Sequence, residues 1–369
     1  MLIYGITGTN GKTTVTWVLA EFLKAAYITT VEVNTLKRRF YTGYTTPPLA
    51  MLKSIYAEME EAGAKSCVME VSSHAIHQNR VGFGTVTEFA GGAFTNISED
   101  HLDYHKTMEE YFRVKLDFAR RVAEAGATRA GKRLPYVICL DGEGSQRMFD
   151  EVSKLPLDVL PVTVKTPKFD LSNLRLAGDF NRSNVLVAAE LAEAAGVAHD
   201  EIERMIPMLR PRWGRLEKID NPAVRADVYV DFAHTPDGLE KVLGAARGFS
   251  RGKLWAVFGA GGDRDPMKRP LMGRACAKFA DALVVTSDNP RSEKPEAIIA
   301  AIVEGVKSVR PGLENVTVRP DRREAIAYAL ANAGEGDVVL VCGKGHETTQ
   351  EIAGVKHPFD DREVVSEWH

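Results

Sequence analysis

The sequence predicts an α/β protein in which a P-loop domain with a mainly parallel sheet precedes a C-terminal Rossmann-like α/β domain. Short apolar runs alternate with helical patterns along all 369 residues, as parallel sheets covered by helices require. A proline-bounded stretch from Pro207 to Trp213 interrupts the alternation and is typical of a linker. We therefore expect one domain over residues 1–208 and a second over residues 209–369.

Apolar runs of strand length and longer segments with helical periodicity place the elements in order. In the first half we expect strands at 1–6, 27–33, 66–71, 90–95 and 136–140. Helices are expected at 12–25, 49–62, 108–123 and 184–195, with an irregular β-rich segment at 149–176. In the second half the expected strands are 226–231, 253–258, 282–287, 315–318 and 337–341, separated by helices.

The first strand leads into a glycine turn, after which Lys12 begins a helix. Backbone N–H groups in such a turn bind phosphate, a lysine reaches the outer phosphates, and a threonine hydroxyl can ligate Mg²⁺. The usual pattern is incomplete because Ile6 stands where its first glycine belongs, and a chance Gly-Lys-Thr in a loop is the alternative. We expect a nucleoside triphosphate to contact Gly8, Thr9, Asn10, Gly11, Lys12, Thr13 and Thr14.

Composition excludes several other classes of protein. The net charge of -3 and the pI near 6.3 give no basic surface for nucleic acid or for a membrane. The four cysteines lack paired spacing, so we expect reduced core residues. No apolar segment has the length of a membrane span and the chain begins on a strand. We expect a cytoplasmic monomer that acts on small molecules.

Polar residues follow the predicted strands, where ligands bind in open parallel sheets. Glu70 ends one strand and is suited to hold Mg²⁺, although a solvated strand-end acid is the alternative. His101 and His105 follow another strand together with Asp100 and Asp103, and are either a base, metal ligands or capped turn residues. By pattern alone, Lys115 is a surface residue of a helix.

Taken together, these motifs resemble the Mur ligase family over essentially the whole chain. In the first half the resemblance rests on Gly8-Thr-Asn-Gly-Lys-Thr-Thr14, Met69-Glu-Val-Ser-Ser-His74, Thr95-Asn-Ile97, Asp100-His-Leu-Asp-Tyr-His105, Tyr111-x-x-x-Lys115 and Gly178-Asp-Phe-Asn181 with Asn184. In the second half it rests on Gly214-Arg-Leu-Glu217, Val230-Asp-Phe-Ala-His-Thr-Pro-Asp237, Gly261-Gly-Asp-Arg-Asp265, Asp288-Asn-Pro-Arg291 and Gly343-Lys-Gly-His-Glu347.

The resemblance implies a central ATP-binding domain, a C-terminal domain that binds an amino acid, and the cofactors ATP and Mg²⁺. It implies that Lys12, His101 and a carbamylated Lys115 are catalytic. By the same resemblance, Thr13 and Glu70 would hold Mg²⁺, His101 would complete a second metal site, and Lys115 would add a metal ligand. The further implied nucleotide contacts are Asn181, Asn184, Arg215 and Asp231. The acceptor would bind Thr45, Thr46, Ser72, Gln78 and Arg80, and the amino acid would bind Arg264, Asn289, Arg291, Gly343 and Glu347.

The implied reaction adds a diamino acid, by our expectation meso-diaminopimelate, to the peptide carboxylate of a muramoyl-dipeptide-type acceptor through an acyl phosphate. The family's N-terminal UDP-binding domain has no counterpart before the phosphate loop, so we expect uridine to add little to acceptor affinity. The link at Ala25-Ala26 also looks short for the family. Two alternatives stay open: a ligase of the folylpolyglutamate synthetase kind with an acceptor that lacks UDP, and an ATP-dependent switch that ligates nothing.

Overall fold

The computed structural model describes residues 1–82, 84–85, 87–128, 131–142 and 144–369, with residue 103 described in its backbone only. Its contacts divide the chain into two compact units. The first unit contains Met1–Arg175 and Asp179–Leu209, and the second contains Leu176–Gly178 and Arg210–His369. The short segment Leu176–Gly178 thus belongs to the second unit although the chain around it belongs to the first.

The first unit is built around one eight-stranded sheet. Its strands are β1 (Leu2–Thr7), β2 (Ala26–Ile28), β3 (Val33–Asn34), β4 (Arg39–Phe40), β5 (Ser66–Glu70), β6 (Phe89–Phe94), β7 (Leu134–Cys139) and β8 (Leu157–Val162). Its helices are α1 (Lys12–Leu23), α2 (Leu49–Glu61), α3 (Ser73–His77), α4 (Leu102–His105), α5 (Met108–Thr128), α6 (Ser145–Val152), α7 (Asp179–Ala194) and α8 (His199–Met205), followed by a 3-10 helix at Ile206–Met208.

Strand order in this sheet is β4-β3-β2-β5-β1-β6-β7-β8. The six strands β2, β5, β1, β6, β7 and β8 pair in parallel, whereas β3 and β4 pair antiparallel. The phosphate-loop strand β1 therefore lies between β5 and β6. The register pairs Ile6 with Glu70 on one side and Thr7 with Phe94 on the other. Residues that follow β5 and β6 consequently flank the loop that follows β1.

One prediction for this unit was wrong, and a second was wrong in its first residues only. The single strand expected at 27–33 is two antiparallel strands, because the Thr29 hydroxyl accepts hydrogen bonds from the backbone N–H groups of Val31 (3.2 Å) and Glu32 (3.0 Å) and closes a turn. The segment at 149–176, expected to be irregular and β-rich, contains strand β8 but begins inside helix α6. Met148 and Val152 are fully buried there, and their spacing of four residues suits a helix face.

The second unit contains a six-stranded sheet with the order β13-β12-β11-β14-β10-β9. Only β9 is antiparallel to its neighbour. The strands are β9 (Glu217–Ile219), β10 (Asp227–Asp231), β11 (Leu254–Phe258), β12 (Ala282–Val285), β13 (Val316–Val318), β14 (Val338–Cys342), β15 (Thr349–Ile352) and β16 (Val355–Pro358), the last two forming a hairpin. The helices are α9 (Pro236–Phe249), α10 (Lys268–Phe279), α11 (Pro295–Lys307), α12 (Arg322–Asn332) and α13 (Asp361–Ser366).

Each sheet buries apolar side chains beneath its helices. In the first unit Phe89, Phe118 and Tyr136 pack together, and in the second Val230, Val284 and Val341 share a core with helix α12. The four cysteines are buried and free, as expected. Across the described ranges, no helix combines the length and the apolar character that a membrane span needs. The α/β fold class predicted from the sequence is confirmed.

Candidate active site

The phosphate loop is held by the residues that follow strand β6. The backbone N–H of Thr9 donates to the Asn96 carbonyl (2.9 Å), and that of Asn10 donates to Asn96 Oδ1 (3.0 Å). Gly11 has a φ of 85°, a left-handed conformation suited to glycine, and helix α1 begins at the next residue. Lys12 Nζ bends back onto the carbonyls of Gly8 (3.0 Å) and Thr9 (2.8 Å). The loop thus has the shape expected of an anion site at a helix N-terminus.

Helix α7 carries the two asparagines that the resemblance assigned to the nucleotide. Asn184 Nδ2 donates to Asn181 Oδ1 (3.4 Å), and both side chains are buried. A methyl group added at Gly11 would overlap Asn184 Oδ1. Asn184 therefore lies against the phosphate loop, so two sequence motifs more than 170 residues apart meet at one place.

Glu70 is positioned by a residue that the sequence did not indicate. Only 1% of Glu70 is exposed. Its carboxylate accepts from the backbone N–H of Thr30 (2.9 Å) and from the Thr30 hydroxyl (3.1 Å). The Thr30 hydroxyl oxygen also forms a hydrogen bond with the Thr45 hydroxyl (3.0 Å), in which Thr45 is the donor, and this contact joins Glu70 to the predicted acceptor residues. The alternative of a solvated acid at this strand end was wrong.

Hydrogen bonds link the predicted acceptor residues to one another and to Glu70. Thr46 Oγ1 donates to the Glu70 carbonyl (2.8 Å) and accepts from the backbone N–H of Ser72 (3.0 Å). Arg80 donates to the Thr46 carbonyl (2.9 Å) and to Gln78 Oε1. The Ser72 side chain caps helix α3.

Tyr104 is a further residue of this region that we did not predict, although it lies within a quoted motif. Its hydroxyl accepts from Gln78 Nε2 (3.2 Å) and bonds to His77 Nδ1 (2.9 Å). Its ring also packs on His74 with centroids 4.1 Å apart. Tyr104 thereby connects the predicted acceptor residues to the histidines.

Lys115 is buried in helix α5, with 1% of the residue exposed and its ammonium 4.5 Å from the centre of the Tyr111 ring. Burial lowers the pKa of Lys115 well below its ordinary value, and the charge of Lys12 lowers it further, against the opposing effect of Asp100. Pattern alone made Lys115 a surface residue, and that interpretation was wrong. The structure contains a buried amine near the phosphate-loop lysine.

His101 belongs to the same group of charges. Its Nε2 lies 3.4 Å from Asp100 Oδ2, and its ring packs edge-on against His74 with centroids 5.0 Å apart. Although 43% of the side chain is exposed, burial of the remainder lowers the pKa of His101 to about 4, and Lys12 and Lys115 act in the same direction. The imidazole is neutral at pH 7 and its nitrogens suit metal coordination. His105, by contrast, is fully buried and bonds to Ser73 Oγ (2.9 Å).

The metal ligands implied by the resemblance include residue types other than His, Cys, Asp and Glu. Within the described residues, no three side chains of His, Cys, Asp or Glu are grouped closely enough to hold an ion. The Asp103 side chain, part of a quoted motif, lies outside the described residues. The predicted ligand set fits this limit because it adds the Thr13 hydroxyl and a modified Lys115 to Glu70 and His101.

In the second unit, Asp231 at the end of β10 is fixed by two backbone groups. Its carboxylate accepts from Leu216 N (2.6 Å) and Ala233 N (2.7 Å). Burial raises the pKa of Asp231, while nearby Arg215 opposes that shift. The Arg215 guanidinium lies 4.5 Å from the centre of the Phe232 ring. Arg215 and Asp231 are thus brought together, and their assignment to the nucleotide stays a prediction.

The predicted amino-acid residues meet where β12 and β14 end. Asn289 Nδ2 donates to Glu347 Oε2 (2.8 Å), and Gly343 N donates to the Asp231 carbonyl (3.0 Å). Arg291 has a left-handed φ of 52° and donates to the Gly262 carbonyl (2.5 Å). A methyl group added at Gly261 would lie 3.0 Å from Arg291 Nη1 and 3.7 Å from Arg264 Cγ, so both arginines flank that loop.

Two family models match the chain. Residues 6–168 match the Mur ligase middle domain, and residues 214–345 match the Mur ligase glutamate ligase domain. The chain is 40% identical to a UDP-N-acetylmuramoyl-L-alanyl-D-glutamate–2,6-diaminopimelate ligase of Aquifex aeolicus, covering 99% of this chain and 77% of the relative.

The chain belongs to the Mur ligase family. A second relative, a diaminopimelate ligase of the same name from Streptomyces coelicolor, is 42% identical over 100% of this chain and 76% of its own length. A solved structure of a ligase of that name is 31% identical with a TM-score of 0.62, covering 99% of this chain and 77% of that one. The predicted class, an ATP-dependent ligase, is confirmed.

The fold is shared more widely than the sequence. A folylpolyglutamate synthase of Mycobacterium tuberculosis, solved with ADP and AMPPCP, has a TM-score of 0.65 at 19% identity. It covers 93% of this chain and 88% of its own. At that identity the likeness shows the fold alone and does not favour one acceptor over another.

Two buried cations of this Mur ligase were missed by the sequence analysis. Lys344 and Arg322 are 0% and 1% exposed, respectively, and both contact the segment that holds the predicted amino-acid residues. Lys344 lies inside a quoted motif, which was a usable signal. Arg322 lies outside the quoted motifs, and only its contacts in the folded chain single it out.

Proposed function

We propose that this Mur ligase adds a diamino acid, meso-diaminopimelate, to the peptide carboxylate of an UDP-N-acetylmuramoyl-L-alanyl-D-glutamate-type acceptor and releases ADP and phosphate. The observation that carries the proposal is the hydrogen bond between Asn289 and Glu347 in the second unit, with Arg291 two residues further along the chain and donating to the Gly262 carbonyl. Such a group offers both donors and a carboxylate to the two charges at the far end of a diamino acid. Relatives about 40% identical are named for this reaction.

The chemistry proceeds in two displacement steps. The acceptor carboxylate attacks the γ-phosphorus of ATP, the bond to the β,γ-bridging oxygen breaks, and ADP leaves as an acyl phosphate forms. The amine of the diamino acid then attacks the acyl carbon, and phosphate leaves as the amide forms and a proton is lost. Lys12 and the N-terminus of helix α1 stabilise the negative charge that develops during phosphoryl transfer.

Thr13 and Glu70 would hold Mg²⁺, His101 would complete a second metal site, and a carbamylated Lys115 would add an oxygen ligand. When bound, the ion neutralises charge on the phosphates. Carbamylation requires a neutral amine, and burial favours that form because it lowers the pKa of Lys115 well below its ordinary value. The neutral imidazole of His101 is likewise available as a ligand.

Arg291 is proposed as the residue that selects diaminopimelate over lysine. Diaminopimelate carries a carboxylate beside its far amine, and a guanidinium pairs with a carboxylate through two hydrogen bonds. Lysine would leave Arg291 without that partner. A site built around such a pairing can reject the analogue that lacks the group by on the order of 10⁴-fold.

The test compares kcat/KM for meso-diaminopimelate and lysine in the wild type and in Arg291→Ala. We expect the wild type to prefer diaminopimelate strongly and the variant to lose most of that preference. Arg251→Ala, at an exposed arginine of the same unit, is the matched control. Equal use of lysine by the wild type, or an unchanged preference in Arg291→Ala, would contradict the role of Arg291.

Phosphate release under different substrate combinations tests the reaction class itself. A ligase releases ADP and phosphate in step with product only when acceptor and amino acid are both present. A nucleotide switch would hydrolyse ATP without either. The folylpolyglutamate synthetase alternative would be favoured by one result. Phosphate would be released with a folate-type acceptor and glutamate, but not with a muramoyl dipeptide and diaminopimelate.

A further inference from the structure

Lys344 is fully buried beneath the predicted amino-acid residues. Its ammonium donates to Asn289 Oδ1 (3.2 Å), to Glu347 Oε2 (2.9 Å) and to the Thr349 carbonyl (2.6 Å). An ammonium has three donors, and these three acceptors use them all. Lys344 therefore makes no direct contact with a ligand and acts through the side chains that it holds.

The contacts of Asn289 fix the direction of its amide. Oδ1 accepts from Lys344 Nζ and from the backbone N–H of Glu351 (3.0 Å), and both of those groups are donors only. The amide oxygen therefore faces Lys344, and the amide nitrogen must point the other way. Nδ2 donates one hydrogen to Glu347 Oε2 (2.8 Å), which leaves its second hydrogen for a ligand.

Glu347 is oriented by the same two neighbours. Its Oε2 accepts from both Lys344 and Asn289, whereas Oε1 accepts no hydrogen bond from the described part of the chain. The side chain is 33% exposed, and Oε1 is the oxygen that these two neighbours leave for a ligand. The pocket consequently presents one donor, Asn289 Nδ2, beside one acceptor, Glu347 Oε1.

We propose that Lys344 is a positioning residue that sets this polarity, so that the pocket recognises a zwitterionic group. A carboxylate oxygen of the ligand accepts from Asn289 Nδ2, and its ammonium donates to Glu347 Oε1. This inference rests on the proposed function, because the far end of a diamino acid such as diaminopimelate is such a group. Without Lys344, the Asn289 oxygen keeps only the Glu351 N–H as a donor and Glu347 Oε2 keeps only Asn289, so both side chains are held less firmly in the orientation that suits the ligand.

The experiment measures KM for meso-diaminopimelate and for ATP in Lys344→Met, Glu347→Gln and the double variant. We expect Lys344→Met to raise KM for diaminopimelate by about tenfold or more, the effect of losing hydrogen bonds to charged groups, while KM for ATP changes less than about twofold. Because both residues act on one ligand group, the double variant should raise KM by clearly less than the product of the single effects.

Asn289→Asp provides a second test if Lys344→Met fails to fold. The aspartate keeps an oxygen for Lys344 and Glu351 but replaces the donor that faces the ligand, so KM for diaminopimelate should rise comparably. Lys307→Met, at an exposed lysine of the same unit, should leave both KM values unchanged.

Several results would overturn the inference. These are an unchanged or lowered KM for diaminopimelate in Lys344→Met, equal increases for both substrates, multiplicative effects in the double variant, or wild-type affinity in Asn289→Asp. Failure of the wild type to release phosphate with any diamino acid would instead contradict the proposed function.

Discussion

Removing the carboxylate of Asp361 should destabilise the second unit strongly. Arg322 and Asp361 form a fully buried pair in which Nε and Nη2 each donate to one carboxylate oxygen at 2.7 Å. The same guanidinium donates to the carbonyls of Ser287 (3.3 Å) and Cys342 (2.9 Å). Arg322 thus joins helix α13 to the ends of the two segments that precede the predicted amino-acid residues.

The magnitude follows from the loss of a counter-charge in a buried site. At an effective dielectric constant of about 20, two unit charges about 4 Å apart attract by about 4 kcal/mol. Breaking a buried pair by removing one partner costs about 3–5 kcal/mol. We expect that cost for Asp361→Asn, which is a large part of a typical folding free energy of about 5–15 kcal/mol.

Removing both charges should cost less than removing one. In Arg322→Met/Asp361→Leu neither charge of the pair is left without its partner. The main losses are the hydrogen bonds to Ser287 and Cys342, worth about 1 kcal/mol each, and the attraction between Arg322 and Asp288. We therefore expect the double variant to be more stable than Asp361→Asn. A simple packing defect would make the double variant the less stable of the two, so a more stable double variant identifies the unpaired buried charge as the cause.

Urea denaturation monitored by tryptophan fluorescence provides the assay. A Trp17→Phe background removes the one tryptophan of the first unit and leaves Trp213, Trp255 and Trp368 to report on the second. Glu367→Gln is the control, since that carboxylate lies 3.9 Å from its arginine at the surface and is 68% exposed. A loss below about 1 kcal/mol in Asp361→Asn, the range of a surface pair, or a double variant less stable than the single, would refute the reasoning.

Three further predictions concern the loop, a histidine and the buried lysine. Gly11→Ala should raise KM for ATP at least about tenfold, because a left-handed alanine costs about 1–2 kcal/mol and its methyl group would overlap Asn184. Gly63→Ala is the control, since Gly63 is also left-handed but has open space around the added methyl group, and it should leave KM for ATP unchanged. Burial and neighbouring cations lower the pKa of His346 to about 3 in the folded chain, compared with about 6.5 in the unfolded chain. Between those two pH values, His346 is protonated in the unfolded chain but not in the folded chain. As the pH is lowered, the free energy of unfolding of the wild type should therefore fall more steeply than that of His346→Phe, by up to about 1.4 kcal/mol per pH unit. Parallel pH profiles of the two proteins would contradict this. Lys115→Ala should lose acceptor-dependent ADP release because a metal ligand is removed, and full activity would exclude that role.

Local patterns were sufficient to predict most of the fold. Strand β11 was expected at 253–258 and is Leu254–Phe258, and helix α2 was expected at 49–62 and is Leu49–Glu61. Hydrophobic periodicity reports the buried face of an element, and glycines with a following lysine mark the phosphate loop. Patterns failed where a turn depended on one side chain, as at Thr29, which splits the strand expected at 27–33.

The tertiary structure alone decided which polar side chains are buried and what each one contacts. Lys115, Lys344 and Arg322 have the same local sequence character as surface cations, yet each is almost fully enclosed. Their partners come from distant segments: Lys344 reaches Asn289 across 55 positions, and Thr30 reaches Glu70 across 40. Burial of a charge is set by the strands and helices that surround it, and hydrogen bonds of this range exist only after the sheets have formed. The sequence by itself therefore determined the elements and the motifs, whereas packing determined how the motifs meet.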